Sequence, residues 1–178
     1  MTSQDMQQAT DTLEQAVSAA NEAPKSPQKT NSRTADKFVI RGYLELWQEL
    51  DTLGIRFCRS RNSEAQMAVL EGISEWERTS AMLNILVGHL GDEVSAHVLA
   101  ALPEFEWSQL ITPKKFVLRF PPDVRDVVRD GIENSLFERA SMNDWFVLTL
   151  IRWINLQRQL YALQSAAIAI NPALKVLD

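Results

Sequence analysis

The sequence has few of the residues that most catalytic and metal sites need. It contains a single cysteine, Cys58, and two histidines, His89 and His97. One cysteine excludes an intramolecular disulfide and a cysteine-rich metal site. The spacing of the histidines does not match the i, i+4 spacing of zinc ligands on a helix. With no nucleophile–base pair or glycine-rich phosphate loop in view, the sequence favours a protein that is not an enzyme and has no metal or other cofactor.

Long hydrophobic runs are also missing. No stretch approaches the roughly 18 consecutive apolar residues of a membrane-spanning helix, and the polar N-terminus lacks the basic patch and apolar core of a secretory signal. The sequence therefore predicts a cytoplasmic protein with no membrane partner. At 178 residues and 46% hydrophobic, the chain is large enough to bury a sizeable core as one domain or as two small lobes.

An excess of basic charge is absent as well. The net charge of −5 argues at first against nucleic acid, because phosphate binding depends on Lys and Arg. The distribution of charge matters more than its sum. Residues 79–113 contain four acidic residues and no Lys or Arg, whereas the basic residues concentrate in 37–78 and 114–178. A local basic surface is therefore compatible with an acidic protein.

Composition divides the chain into four segments. Residues 1–36 are rich in Gln, Ser, Thr and Ala, which predicts a disordered polar tail. Residues 37–78 and 114–178 each predict a strand followed by two helices. Residues 79–113 predict two further helices on either side of Gly91. The chain therefore contains two similar units separated by a helical segment.

Apolar residues at helical spacing follow each predicted strand. In the first unit the expected buried face comprises Tyr43, Leu46, Trp47, Leu50, Leu53 and Phe57. In the second unit it comprises Val124, Val127, Val128, Ile132 and Leu136. Ser60, and either Ser141 or Asn143, are predicted to cap the next helix of each unit. The final helix, which should end before Pro172, is apolar on most sides and predicts contact with the inter-repeat segment or another chain.

One short pattern occurs in both predicted strands. Lys37-Phe38-Val39-Ile40-Arg41 returns as Lys115-Phe116-Val117-Leu118-Arg119. The alternation predicts strands with one buried and one exposed face. A solvated basic face would explain either copy alone, but the repetition favours a shared function. The residues expected to point outward are Lys37, Val39, Arg41, Lys115, Val117 and Arg119.

The order of strand, helix, polar break and helix, present twice, resembles the ribbon-helix-helix DNA-binding family of the Arc and MetJ repressors. The family's strand alternates base-contacting and core residues and ends in Arg-aromatic-Pro. Lys115 to Pro121 fits this pattern, whereas Gly42-Tyr43 replaces the aromatic residue and Pro in the first copy. The opening of the family's second helix is closely matched by Arg59-Ser60-Arg61-Asn62-Ser63-Glu64 and loosely by 140–144.

The resemblance implies a mainly α-helical tandem pseudo-dimer, as in the TraY-type proteins of conjugative plasmids, with one two-stranded antiparallel ribbon. A single unit has too little core and two unpaired strand edges, so two units are expected to pair. The six outward residues would then contact bases of double-stranded DNA in the major groove. The implied phosphate contacts come from the starts of the second helices, at Arg59, Ser60, Arg61, Asn62, Ser63, Ser141 and Asn143.

Three functions are compatible with these residues. A transcriptional repressor and a DNA-binding accessory protein of conjugation or plasmid maintenance would use the same ribbon. A helical protein-interaction module without DNA binding would account for the negative net charge and the apolar last helix. The sequence also predicts self-association or a protein partner through residues 79–112 and the C-terminal helix.

Overall fold

The structure, a computed structural model, describes residues 14–15, 17–18, 36–120, 126–128, 130–131 and 141–171. The chain divides into one unit of Met1–Thr34 and another of Ala35–Asp178. In the first unit the four described residues are helical and exposed. The rest of the predicted polar tail before β1 lies outside the described residues.

The second unit is mainly helical with one two-stranded antiparallel sheet, as the sequence predicted. A 3-10 turn at Trp107–Gln109 precedes the second strand. Gly91 separates two helices, also as predicted. The strands and long helices follow in this order: β1 (Asp36–Tyr43), α1 (Leu44–Arg56), α2 (Arg61–Ile73), α3 (Glu77–Leu90), α4 (Asp92–Ala100), β2 (Pro113–Phe120) and α5 (Met142–Ile170).

The two copies of the strand motif pair with each other. Val39 lies opposite Val117, and on either side of this pair each motif Lys faces the motif Arg of the other strand. The inward side chains of Ile40, Leu118 and Phe120 are buried. The predicted alternation of buried and exposed residues is therefore confirmed for the ribbon.

Helices α1, α2 and α5 cover the inner face of this ribbon. The fully buried Trp47 of α1 stacks on Phe116, with the ring centroids 4.5 Å apart. Its indole N–H donates a hydrogen bond to the main-chain oxygen of Lys114 at 3.1 Å. From the other side, Phe146 of α5 contacts Phe38 at 5.3 Å between ring centroids. Aromatic contacts thus hold helices on both strands of the ribbon.

Two residues of the predicted buried helical faces are exposed instead. Val127 is 55% exposed although its neighbour Val128 is fully buried, because consecutive helical residues point about 100° apart and the core reaches only one of them. Phe57 lies at the end of α1 and is exposed, with the Arg59 guanidinium 5.0 Å from its ring centroid. The prediction that both were core residues is wrong; Val124, Ile132 and Leu136 lie outside the described residues.

The long helix α5 contacts the inter-repeat helices. It lies against α3 and α4 as well as against α1, α2 and β1, which explains why it is apolar on several sides. Of the two predicted contacts, the one with the inter-repeat segment is present. The helix ends at Ile170, as the following Pro172 predicted. Within the described residues, no helix combines the length and apolar character needed to cross a membrane.

A tight turn connects α1 to α2. Cys58 has φ 54°, in the left-handed region that residues with a side chain rarely adopt. The N–H of Arg59 donates to the oxygen of Gly54 at 2.7 Å, and the N–H of Cys58 donates to the oxygen of Ile55 at 3.3 Å. This is the hydrogen-bond pattern of a Schellman C-cap. A Cβ at Gly54 would lie 2.5 Å from the Arg59 oxygen, so the turn requires glycine there.

We expect Gly54→Ala to lower the free energy of unfolding by about 1–3 kcal/mol, because the added methyl group overpacks a backbone contact. Gly88→Ala is the matched control, since a Cβ at this α3 position meets no atom within 4 Å. Alanine should stabilise that helix by up to about 1 kcal/mol. Chemical denaturation of both variants measures the difference. Equal effects of the two substitutions would contradict a close contact at Gly54.

Candidate nucleic-acid interface

The outer face of the ribbon carries all six residues predicted to contact bases. Val39 and Val117 face each other across the strands and are 62% and 40% exposed. The four basic side chains are exposed too, and none has an ion-pair partner among the described residues. The sequence prediction that these residues share one exposed face is therefore confirmed. They are Lys37, Val39, Arg41, Lys115, Val117 and Arg119.

The side chain of Asn62 binds the open edge of β2. In a two-stranded antiparallel ribbon, alternate residues point their N–H and C=O groups away from the partner strand. The N–H of Arg119 donates to Asn62 Oδ1 at 3.1 Å, and Asn62 Nδ2 donates to the oxygen of Arg119 at 3.4 Å. Gln66 Nε2 also donates to that oxygen. The first turn of α2 is thereby attached to one end of the ribbon.

Asn143 makes the corresponding contact on the other strand. The N–H of Arg41 donates to Asn143 Oδ1 at 2.8 Å, and Asn143 Nδ2 donates to the oxygen of Arg41 at 3.0 Å. The first turn of α5 is therefore attached to the other end of the ribbon. The amide of each asparagine accepts one hydrogen bond and donates another, as the backbone of a neighbouring strand would. The sequence predicts phosphate contacts for Asn62 and Asn143 but does not indicate this role.

Serine caps both of these helices. Ser60 Oγ accepts a hydrogen bond from the N–H of Ser63, and Ser141 Oγ accepts one from the N–H of Asp144, both at 3.1 Å. Ser60 was predicted as a cap, and of the two candidates in the second unit Ser141 is the cap. A helix start presents free N–H groups and the positive end of the helix dipole. Two sites with anion-binding character thus flank the ribbon.

The two helix starts carry different charges. At the start of α2, the hydroxyl groups of Ser60 and Ser63 share a hydrogen bond at 3.0 Å. At the start of α5, the third residue is Asp144, whose carboxylate accepts a hydrogen bond from the Ser141 hydroxyl at 2.7 Å. Carboxylates stabilise helix starts but repel phosphates. The end of the ribbon beside Arg41 is therefore less favourable for an anion than the end beside Arg119.

Arg59 and Arg61 are held by acidic residues of the same chain. Arg59 Nε lies 2.8 Å from Oε1 of Glu64, which is fully buried, and the other Glu64 oxygen accepts the indole N–H of Trp153 at 3.0 Å. Arg61 Nε donates to Asp51 at 2.8 Å. About a third of each arginine side chain is exposed, 33% and 30% respectively. Their contact with phosphate stays a prediction, and both also have a structural role.

Glu64 is a site residue that the sequence analysis did not identify. In the sequence it stands out only as the last residue of the 59–64 motif, and the Ser60 cap is completed by Ser63. A signal was present in the spacing, because Glu64 lies on the same helical face as Ala65, Ala68 and Val69, all of which are buried. A carboxylate on an apolar face predicts a buried partner. That partner is Arg59.

No family model, curated protein or solved structure matches this chain. The candidate interface is therefore defined by the geometry of this chain's own residues. Across the described part of the chain, no three His, Cys, Asp or Glu side chains are grouped as a metal site would require. What the fold does bring together is an exposed basic ribbon face and two capped helix starts, joined by the contacts of Asn62 and Asn143.

The asparagine contacts can be tested by amide hydrogen exchange. Asn62→Ala removes the acceptor of the Arg119 N–H, so we expect that amide to exchange about tenfold faster, the equivalent of roughly one hydrogen bond. The Arg41 amide should be unaffected. Asn143→Ala should produce the reverse result, which makes each variant the control for the other. Equal acceleration at both arginines, or at neither, would contradict these contacts.

Proposed function

We propose that this protein binds double-stranded DNA in a sequence-specific manner through the outer face of the β1–β2 ribbon, and that it acts as a transcriptional regulator, in the simplest case a repressor. One observation carries the proposal. The Lys, Val and Arg side chains of the repeated motif are exposed on a single ribbon face and lack competing ion pairs in the described chain. Two helix starts, attached through Asn62 and Asn143, lie at the ends of that face.

The chemistry of the exposed face suits the major groove. A two-stranded ribbon fits the width of that groove, where every base pair presents a distinct set of donors, acceptors and methyl groups. Arg41 and Arg119 can each pair with O6 and N7 of guanine, while Lys37 and Lys115 can contact guanine or phosphate. The valine pair at the centre of the face offers apolar contact to thymine methyl groups. Such a face distinguishes sequences rather than only attracting charge.

The proposal includes a tandem pseudo-dimer formed within one chain. The pairing of the strands is symmetric about the Val39–Val117 pair, because Lys37 pairs with Arg119 and Arg41 pairs with Lys115. The asparagine contacts have the same symmetry. Asn62 of the first unit binds Arg119 of the second, and Asn143 of the second unit binds Arg41 of the first. A DNA site with an approximately palindromic core would match this arrangement.

Phosphate contacts would come from the two helix starts. Ser60, Asn62 and Ser63 lie at one start, and Ser141 and Asn143 lie at the other. Their backbone N–H groups can donate to phosphate oxygens and so fix the position of the ribbon on the duplex. The second start has the carboxylate of Asp144 in its first turn, whereas Arg59 and Arg61, although paired with Glu64 and Asp51, are still about one-third exposed at the first start. The first helix start is therefore expected to bind phosphate more strongly than the second.

Two alternative roles follow from specific features. A conjugation or plasmid-maintenance protein would use the same face, and the position of the bound sequence distinguishes the roles: a site overlapping a promoter supports regulation, and a site at an origin of transfer supports the accessory role. A helical interaction module is favoured by the exposed apolar side chains of Met82 and Ile85 on α3. That module would not bind DNA through the ribbon.

Base contact by Arg119 predicts a sequence-dependent loss of affinity. Arg119→Ala should weaken binding to the selected DNA site by about 1–3 kcal/mol and relax the preference at one base position. Lys114→Ala is the control, because it removes the same charge from an exposed position of β2 that lies outside the repeated motif. Fluorescence anisotropy with a site selected from random duplexes, and with a scrambled duplex, measures both variants.

Three results would decide against the proposal. Equal losses on the selected and scrambled duplexes for Arg119→Ala would remove its base-contacting role. Equal losses of affinity for Arg119→Ala and Lys114→Ala would show that only the net charge matters. Failure of the native chain to bind any duplex at low salt would favour the interaction module.

The difference between the two helix starts predicts an unusual gain of affinity. Asp144→Ser removes a negative charge beside the expected phosphate and should tighten binding about fivefold at low salt, close to 1 kcal/mol. Ser63→Asp should weaken binding by a similar factor. Because Asp is favourable in the first turn of a helix, the second variant should not lose stability. Both effects should shrink as salt rises; effects of the same sign would contradict phosphate contact at the helix starts.

A further inference from the structure

A groove lies where α2, α3 and α5 meet, and none of its lining residues belongs to the ribbon. Its volume is about 200 Å³. An engineered apolar cavity of about 150 Å³ is large enough to bind benzene, so this groove can hold a ring system somewhat larger than one benzene. Its buried side chains include Trp153, Gln157 and Leu160 of α5, and the exposed ring of Tyr161 and side chain of Met82 lie at its rim.

Gln157 is the unusual member of this lining. Its side chain is only 8% exposed, yet it makes no hydrogen bond within the part of the chain that the structure describes. Its amide atoms are not among the fully buried polar atoms that lack a partner, so they border open space within the groove, where solvent can bond to them. A bound molecule with a donor or an acceptor would take the place of that solvent at the amide.

Glu71 provides a second polar position on the opposite wall. One oxygen of its carboxylate accepts hydrogen bonds from the N–H of Thr79 at 3.3 Å and from the Thr79 hydroxyl at 2.7 Å. The other oxygen lies 4.0 Å from Nε of Arg78, beyond hydrogen-bonding distance. This oxygen can therefore accept one more hydrogen bond. The adjacent guanidinium balances the carboxylate charge, which favours a neutral ligand over a charged one.

We propose that this groove binds a small neutral aromatic molecule that carries an N–H or O–H donor. The ring would pack against Trp153 and Leu160, and the donor would bond to the Gln157 amide oxygen, with Glu71 on the opposite wall. Most of the lining is apolar, so a planar ring fits better than a sugar or a phosphate. The proposal does not depend on DNA binding by the ribbon.

The test uses two probes of equal shape. Indole has a ring N–H, and benzofuran has an oxygen in the same place and no donor. Each is titrated into the native ¹⁵N-labelled full-length chain, and the indole N–H signal of Trp153 and the side-chain N–H signals of Gln157 are followed. We expect saturable shifts at both residues with indole, and binding of benzofuran about three- to tenfold weaker, the usual range for one net hydrogen bond.

Gln157→Leu identifies the polar partner. Leucine keeps a similar size and favours helix, so the variant should fold, and it should reduce the preference for indole over benzofuran. Gln48→Leu on the exposed face of α1 is the control and should leave that preference unchanged. The proposal is overturned if indole gives no saturable shift in the native chain, if the two probes bind equally, or if Gln157→Leu keeps the full preference. The first two outcomes need no variant, and none involves DNA.

Discussion

The arrangement of this protein depends on the open edges of a two-stranded ribbon. Two strands satisfy only the backbone groups that face each other, and the outer N–H and C=O groups need other partners. Water could supply them, but it would not fix the position of any helix. Here the amides of Asn62 and Asn143 occupy these groups at Arg119 and Arg41. Hydrogen bonding by the backbone therefore determines where the two helix starts lie.

A buried carboxylate also holds the start of α2, on the side that faces the core. Glu64 is fully buried and interacts with Arg59 and with the indole of Trp153, which links α2 to α5. Removing one partner of a buried ion pair leaves an uncompensated charge, which typically costs about 3–5 kcal/mol. Replacement of Arg59 would therefore disturb the fold as well as any phosphate contact. Arg119 has no ion-pair partner in the described residues. Replacing Arg119 therefore tests the proposed base contact without breaking an ion pair, whereas replacing Arg59 does not.

The ribbon could be predicted because its information is local. Alternation of residue types in the two motif copies determines which side chains are buried, and serine before an apolar helical pattern indicates a cap. The asparagine contacts could not be predicted, because they join residues 57 and 102 positions apart in sequence. Val127 and Phe57 were misplaced for a related reason. Periodicity identifies an apolar face but not how far the core extends beneath it.

In the proposed pseudo-dimer, covalent linkage would allow the two halves to differ where a dimer of identical chains could not. On the proposed pseudo-dimer, Ser63 corresponds to Asp144, and the buried Glu64 corresponds to the buried Trp145. In a homodimer either change would alter both halves at once. Within one chain, a carboxylate can be present at one helix start while the other keeps a serine. The exposed ribbon residues are the same three types in both copies, whereas the helix starts beside them differ, so on this proposal the protein is symmetric at the bases and asymmetric at the phosphates.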